Sequence, residues 1–306
     1  MARENRTKIA LIGFGEVGRT FARDLVASGA AELATFDILL REEKAGSAMR
    51  ARAGELGVRV CERPSDAARE AAIVFSAVTA VSAYEAAEEA ATYLRPGQYF
   101  VDLNSVSPQT KRRDAAALES CGAFYVEAAV MAPVAPYGIK VPIVLGGAHA
   151  ARAKTLLAPL GMRLTIGDAE IGKASALKMC RSIMIKGIEA LTVECLTASR
   201  IYGVEDEVLA SLAQTYPGVD WEKTAGYNLE RTISHGRRRA AEMREVADTV
   251  AETGLAPSMS QACATRIDWV AEQVESKPGL REIADEDWRE RLDVMARAAG
   301  LRRPTK

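Results

Sequence analysis

Histidine is scarce in this chain, which has only His149 and His235 among its 306 residues. The two stand far apart in sequence, and neither has H-E-x-x-H or cysteine-rich surroundings, so no metal site is expected. No G-x-S-x-G elbow is present, which removes the Ser-His-acid hydrolases. Catalysis must therefore use another proton carrier. Cysteine is also sparse: Cys61, Cys121, Cys180, Cys195 and Cys263 are odd in number and form no C-x-x-C. That usage suits buried thiols in a reducing cytoplasm rather than a disulfide framework. A surplus of either charge is missing too, since the formal net charge is −1, which gives no basic field for nucleic acid. Long apolar runs are absent as well. Uncharged stretches such as Ala71 to Tyr84 reach about 14 residues, against roughly 20 for a membrane span. The first residues are polar and charged, without an apolar signal core, so a cytoplasmic location is expected.

What the chain does have is an apolar run that ends in glycines: Lys8-Ile-Ala-Leu-Ile-Gly13-Phe14-Gly15-Glu16-Val17-Gly18. Each glycine of a G-x-G-x-x-G loop has its own task. Gly13 permits the turn out of a strand, Gly15 lets backbone approach a pyrophosphate, and Gly18 lets the next helix pack closely. The phosphates then meet free N–H groups at a helix N-terminus. The flanking context supports this reading. Arg19 to Gly29 reads as an amphipathic helix, with Phe21, Leu25 and Val26 at helical spacing. A second strand ends in Asp37, about 20 residues beyond the last glycine, where an acid accepts hydrogen bonds from the adenosine ribose and repels a 2′-phosphate. NAD is therefore preferred, with Arg41 close enough in sequence to leave NADP open.

The first half continues to alternate strands and helices, as a doubly wound α/β sheet does. Strands are expected at 57–61, 72–79, 99–103, 124–128, 141–145 and 163–166, and helices at 64–70 and 83–94. From about Gly172 the pattern becomes helical throughout, starting with a proline-free segment over 172–201 whose Leu177, Ile185, Ile188 and Leu191 recur at helical intervals. Further helices are expected over 205–214, 221–233, 236–253, 258–275 and 284–299. Two domains follow: residues 1–168 for the dinucleotide and residues 169–306 as an all-helical part, begun by a long interdomain helix.

With the glycine loop, the acid at strand two, an Asp-x-Asn-Ser segment after strand five and a lysine early in a long helix, the chain resembles the β-hydroxyacid dehydrogenases. That group includes 3-hydroxyisobutyrate and 6-phosphogluconate dehydrogenases. Gly13 to Glu16, Lys178 to Ser182 and Arg238 to Met243 further resemble a phosphogluconate-dehydrogenase-like subgroup with an uncharacterised type of C-terminal domain. The resemblance covers nearly the whole length. It implies an N-terminal Rossmann domain with a mostly parallel sheet, and hydride transfer between an alcohol or its carbonyl and nicotinamide. It also implies a homodimer formed through the helical half.

The family's G-x-G-x-x-x-K-x-x-N-N motif aligns with Gly172 through Lys178 to Arg181 and Ser182. Lys178 is thereby the expected general base in oxidation and acid in reduction, with a pKa that must fall toward about 7–8. Arg181 and Ser182 occupy the two asparagine positions, with Arg181 a candidate partner for a substrate carboxylate or phosphate and equally for a structural salt bridge. The turn Asp102-Leu-Asn104-Ser105-Val-Ser-Pro108 is expected at the carboxyl end of a strand, where Asn104 and Ser105 would serve substrate or nicotinamide. Val78 and Thr79 should line the cofactor's path. In the substrate loop the chain departs from the family, since Met131 and Pro133 replace residues whose backbone amides hold a carboxylate, and proline has no N–H to offer. A substrate with a larger or apolar group is expected. His235 and Arg238 are candidates to reach the site from a neighbouring subunit. Imine reduction, oxidative decarboxylation and a non-catalytic NAD-binding regulator are the competing readings.

Overall fold

The computed structural model describes residues 6–302, which form two compact units dividing between Met179 and Cys180. The expected boundary at 168/169 marks the end of the sheet. The first unit continues into the start of the long helix because Ala174, Ser175 and Met179 are buried there.

In the first unit the apolar runs become strands β1 (Thr7–Ile12), β2 (Ala31–Phe36), β3 (Arg59–Val60), β4 (Ile73–Ser76), β5 (Tyr99–Asp102), β6 (Phe124–Val130), β7 (Ile143–Gly146) and β8 (Leu164–Ile166). Helices α1 (Glu16–Ser28), α2 (Glu43–Glu55), α3 (Pro64–Ala68), α4 (Ala83–Ala91), α5 (Pro108–Glu119) and α6 (Ala150–Leu157) connect them. The sheet order is β3-β2-β1-β4-β5-β6-β7-β8, parallel throughout except between β6 and β7. Apart from the short edge strand β3, strands β1 to β5 are largely apolar, as strands covered on both faces must be; Ile9, Leu11, Ile73, Val74 and Phe75 are all buried. Phe21 of α1 meets Phe75 of β4 edge-on at 5.9 Å between ring centroids, a favourable aromatic geometry.

The register determines where chemistry can occur. Ile12 stands beside Ser76, Ser76 beside Asp102, and Asp102 beside Glu127, so the carboxyl ends of β1, β4 and β5 share one edge, level with the middle of β6. The winding direction reverses between β1 and β4, and ligands of open α/β sheets bind at that switch point.

The second unit is helical: the remainder of α7 (Lys173–Tyr202), then α8 (Glu205–Thr215), α9 (Trp221–Ala251), α10 (Ser258–Ser276) and α11 (Trp288–Ala298). Its core gathers Val193, Leu196, Leu229, Ile233, Val270 and Trp288 around neighbouring apolar side chains. The two helices expected over 221–233 and 236–253 are the arms of α9, broken at His235 (φ −131°, ψ 19°). Beside the break a Cβ on Gly236 would come within 2.9 Å of Ala271 on α10, so glycine there permits the two helices to approach. The apolar stripe that marks α7 as a helix does not face this core. Leu177, Ile185, Ile188 and Leu191 are exposed, while Lys186, Glu189 and Thr192 are buried.

Candidate functional site

The glycine loop leaves β1 at Gly13, where φ is +96° and a Cβ would lie 2.3 Å from the Ala77 carbonyl oxygen; only glycine fits. At Gly18 a Cβ would lie 2.2 Å from the Gly13 carbonyl, so the close packing there is of α1 against its own loop. Gly15 has nothing within 4 Å of an added Cβ. It is the N-cap of α1 and supplies no side-chain cap. With no side-chain cap from Gly15, the first turn of the helix presents its N–H groups where a pyrophosphate would fit. Phe14 is buried, and its N–H donates to Asp37 Oδ2 at 2.7 Å. The other Asp37 oxygen accepts from the Leu39 N–H at 2.9 Å. One carboxylate thus ties the loop to the end of β2, with lone pairs left for a ribose. The Arg41 guanidinium lies over the Phe36 ring at 5.7 Å.

The Asp102–Ser105 turn is braced from beneath. Asp102 accepts from the Asn104 N–H at 2.9 Å and the Tyr125 hydroxyl at 2.7 Å, and pairs with Lys111 Nζ at 2.8 Å. Asn104 faces β4: its Oδ1 accepts from the Val78 N–H at 2.8 Å, and its Nδ2 donates to Ser76 Oγ at 2.9 Å. Asn104 is thereby a strut between strand ends, and through Val78 it shapes the loop that continues to Thr79. Ser105 is half-buried, and its hydroxyl accepts a hydrogen bond from Lys178 Nζ. Two residues read from separate parts of the chain, 73 positions apart, are in contact.

Sequence reasoning missed what aims Lys178. Glu127, fully buried on β6, accepts from the Gly172 N–H at 2.8 Å and also from the Ser175 N–H. Ser175 in turn donates to the Val106 carbonyl. A carboxylate at a helix N-terminus meets both the unpaired amides and the positive end of the dipole. Burial raises the Glu127 pKa, opposed by Lys111 and by these two amides. A lone acid inside the apolar strand Phe124–Val130 was the available signal.

Met131 is half-buried just beyond β6, with its N–H bonded to the Pro142 carbonyl at 2.9 Å, and Pro133 is exposed in the following turn. In the second unit Arg181 is exposed, whereas Ser182 is buried and accepts from Lys186 Nζ at 3.4 Å. Lys186 pairs with Glu242 at 3.0 Å, and so does Arg238 at 3.0 Å. His235 and Arg238 border a hollow of about 190 Å³ at the break in α9. Among the described residues no group of three or more His, Cys, Asp and Glu side chains is placed to hold a metal ion, and no helix is long and apolar enough to cross a membrane.

Comparison with known proteins identifies the family and the fold. Residues 8–167 match the NAD binding domain of 6-phosphogluconate dehydrogenase, and residues 200–270 match a domain of unknown function. The chain belongs to the β-hydroxyacid dehydrogenase superfamily. A conserved hypothetical protein from Sinorhizobium meliloti is 40% identical over 95% of this chain and 96% of its own, with a TM-score of 0.73. A conserved protein of unknown function, described as structurally similar to 3-hydroxyacid dehydrogenases, is 33% identical over 87% of this chain and 97% of its own, with a TM-score of 0.66. Mitochondrial 3-hydroxyisobutyrate dehydrogenase of Mus musculus is 23% identical over 76% of this chain and 68% of that protein. Membership in this superfamily supports an oxidoreductase with an NAD(P)-binding domain.

Proposed function

We propose that this dehydrogenase-family chain oxidises an alcohol to its carbonyl, or runs the reverse, with Lys178 as the proton carrier and NAD as the preferred cofactor. The observation that carries the reading is the hydrogen bond from Lys178 Nζ to Ser105 Oγ. It lies in the unit that also carries the glycine loop. A nicotinamide dinucleotide, its pyrophosphate on the Gly13–Gly18 loop, would supply hydride exchange. In oxidation the substrate hydroxyl proton passes to a neutral Lys178 amine; in reduction Lys178 returns it to the carbonyl oxygen. Ser105 orients both the lysine and the substrate oxygen. Phe14, the Glu16–Gly18 amides and Asp37 hold the adenosine side, and Val78, Thr79 and Asn104 shape the path toward the nicotinamide.

Met131 and Pro133 indicate the substrate class. Proline offers no N–H for a carboxylate, and methionine is apolar and adaptable. The expected substrate is a hydroxy acid, or a related alcohol, with a larger or apolar substituent. Arg181 and Ser182, and His235 and Arg238 from a second copy, are the candidates to hold its far end.

The test has two arms. NADH and NADPH are compared by thermal shift, where preferential stabilisation by NADH is expected; a ligand at 100 times its Kd adds about 2.7 kcal/mol. Turnover is then followed with NAD over hydroxy acids and with NADH over the corresponding carbonyls. Stabilisation by NADH with both panels silent would instead favour a cofactor-binding regulator.

A further inference from the structure

Asp114 of α5 is fully buried, and neither of its carboxyl oxygens meets a donor. The polar group it does meet is a second acid: Asp102, at the end of β5, stands within hydrogen-bonding reach. Asp102 has an acceptor site to spare. An ionised carboxylate offers about four lone-pair sites, and the Asn104 N–H, the Tyr125 hydroxyl and Lys111 Nζ occupy three of them. Two carboxylates side by side repel, whereas a carboxyl and a carboxylate attract through the proton between them. Charge leads to the same arrangement. The side chains of Lys111 and Asp102 are each only 1% exposed, so one proton on Asp114 leaves the buried group neutral, and its loss leaves an uncompensated negative charge in the interior. The other groups facing the pair do not supply that compensation. Tyr125 and Glu127 on β6 add no positive charge, and Arg113 of α5 is exposed, with its guanidinium over the Tyr84 ring of α4 at 3.9 Å.

We propose that Asp102 and Asp114 share one proton, and that this proton holds the Asn104–Ser105 turn in place, which makes Asp114 a positioning residue for Ser105 and, through it, for Lys178. Only the last step, from Ser105 to Lys178, rests on the proposed reaction. The path between them is short. Asp114 donates its proton to Asp102, Asp102 accepts from the Asn104 N–H at 2.9 Å, and the next residue, Ser105, accepts from Lys178 Nζ. When Asp114 ionises, its proton passes to solvent and the two carboxylates repel. Asp102 then shifts against its neighbours, and its bond to the Asn104 N–H loosens.

The full chain is compared with Asp114→Asn, which keeps a donor and cannot ionise. The infrared spectrum of the wild type minus that of the variant should show a protonated-carboxyl band at neutral pH that vanishes above about pH 8, where burial and the Asp102 carboxylate place the Asp114 carboxyl. Amide hydrogen exchange over residues 102–107, corrected for its intrinsic pH dependence, should quicken about tenfold in the wild type across that pH, the loss expected for one hydrogen bond to a charged group. Asp114→Asn should stay slow on both sides. With a substrate from the NAD panel, the ratio of Asp114→Asn to wild-type turnover should rise through about pH 8, because titration of Lys178 is common to both chains and cancels. NADH affinity should be equal in the two. A missing carboxyl band overturns the shared proton, and exchange that responds to pH equally in both chains overturns its hold on the turn. A flat turnover ratio overturns the positioning role. A wild type silent toward every substrate overturns the proposed reaction instead, and the infrared and exchange measurements still decide the proton and the turn.

Discussion

Lys178 can remove a proton from an alcohol only if its own amine is neutral at working pH, and the ordinary lysine pKa of about 10.4 forbids that. Ser105 accepts its hydrogen bond but carries no charge that would hold the ammonium form. A nicotinamide cation bound nearby would favour the neutral amine. Lys178→Ala should reduce turnover by about 10²–10⁴-fold, the usual worth of a positioned acid or base. NADH affinity, read by fluorescence titration, should change little. If turnover survives Lys178→Ala, another group carries the proton. Asp37 is a separate case. Its carboxylate already accepts from Phe14 and Leu39, so Asp37→Ala removes the proposed ribose partner and loosens the glycine loop at once. Hydrogen bonds to a charged group are worth about 1.5–3 kcal/mol. The same titration should show NADH affinity about tenfold weaker or worse. An unchanged NADH affinity would assign Asp37 to the loop alone.

At the scale of an element, α7 depends on one buried acid. Glu127→Ala would leave the Gly172 and Ser175 amides without an acceptor at about 1–3 kcal/mol each, so urea unfolding should show a loss of about 2–6 kcal/mol. Glu127→Gln keeps one carbonyl oxygen and should recover part of that loss. Equal losses in the two variants would mean that charge near Lys111, rather than amide capping, is what matters. The elements were unequally legible. Strands β1 and β5 announced themselves as apolar runs bounded by glycine or proline, and β4 as an apolar run alone. Helix α5 was missed although Ser107 caps it and Pro108 starts it, because the Asp-x-Asn-Ser turn drew the reading toward chemistry. Helix α2 gives a weak periodic signal: it buries only Gly46, Met49 and Ala53 along 13 residues. In α7 the periodicity was right about the helix and silent about which side faces the core. Lys178 and Ser105 are each legible from a motif matched to a family, whereas their contact is a tertiary fact. Glu127 lay outside both motifs, so only its tertiary partners reveal its place.

For the whole molecule, sheet order was illegible because crossovers permit many orders and the reversal at β7 leaves no local mark. The buried charge beneath the Ser105 turn is another tertiary property, and it makes global stability depend on pH. Asp114 on α5 is fully buried, and neither carboxyl oxygen meets a donor. Burial first, then the neighbouring Asp102 carboxylate, pushes its pKa to about 8. A proton on Asp114 supplies the missing donor. The unfolded carboxyl titrates near 3.9, so between about pH 4 and pH 8 the native state holds one more proton than the unfolded chain. Stability must then fall as pH rises through that window, by at most about 1.4 kcal/mol per pH unit, and level off above it. Glu127, also raised by burial, acts in the same direction, so the contribution of Asp114 has to be isolated by difference. Asp114→Asn removes its titration while retaining a donor. The stability of the variant relative to wild type, from urea unfolding at pH 5, 6, 7, 8 and 9, should therefore climb up to about pH 8 and then stay constant. If the two curves run parallel across that range, Asp114 is already ionised in the native protein, and Lys111 must be compensating both Asp102 and Asp114.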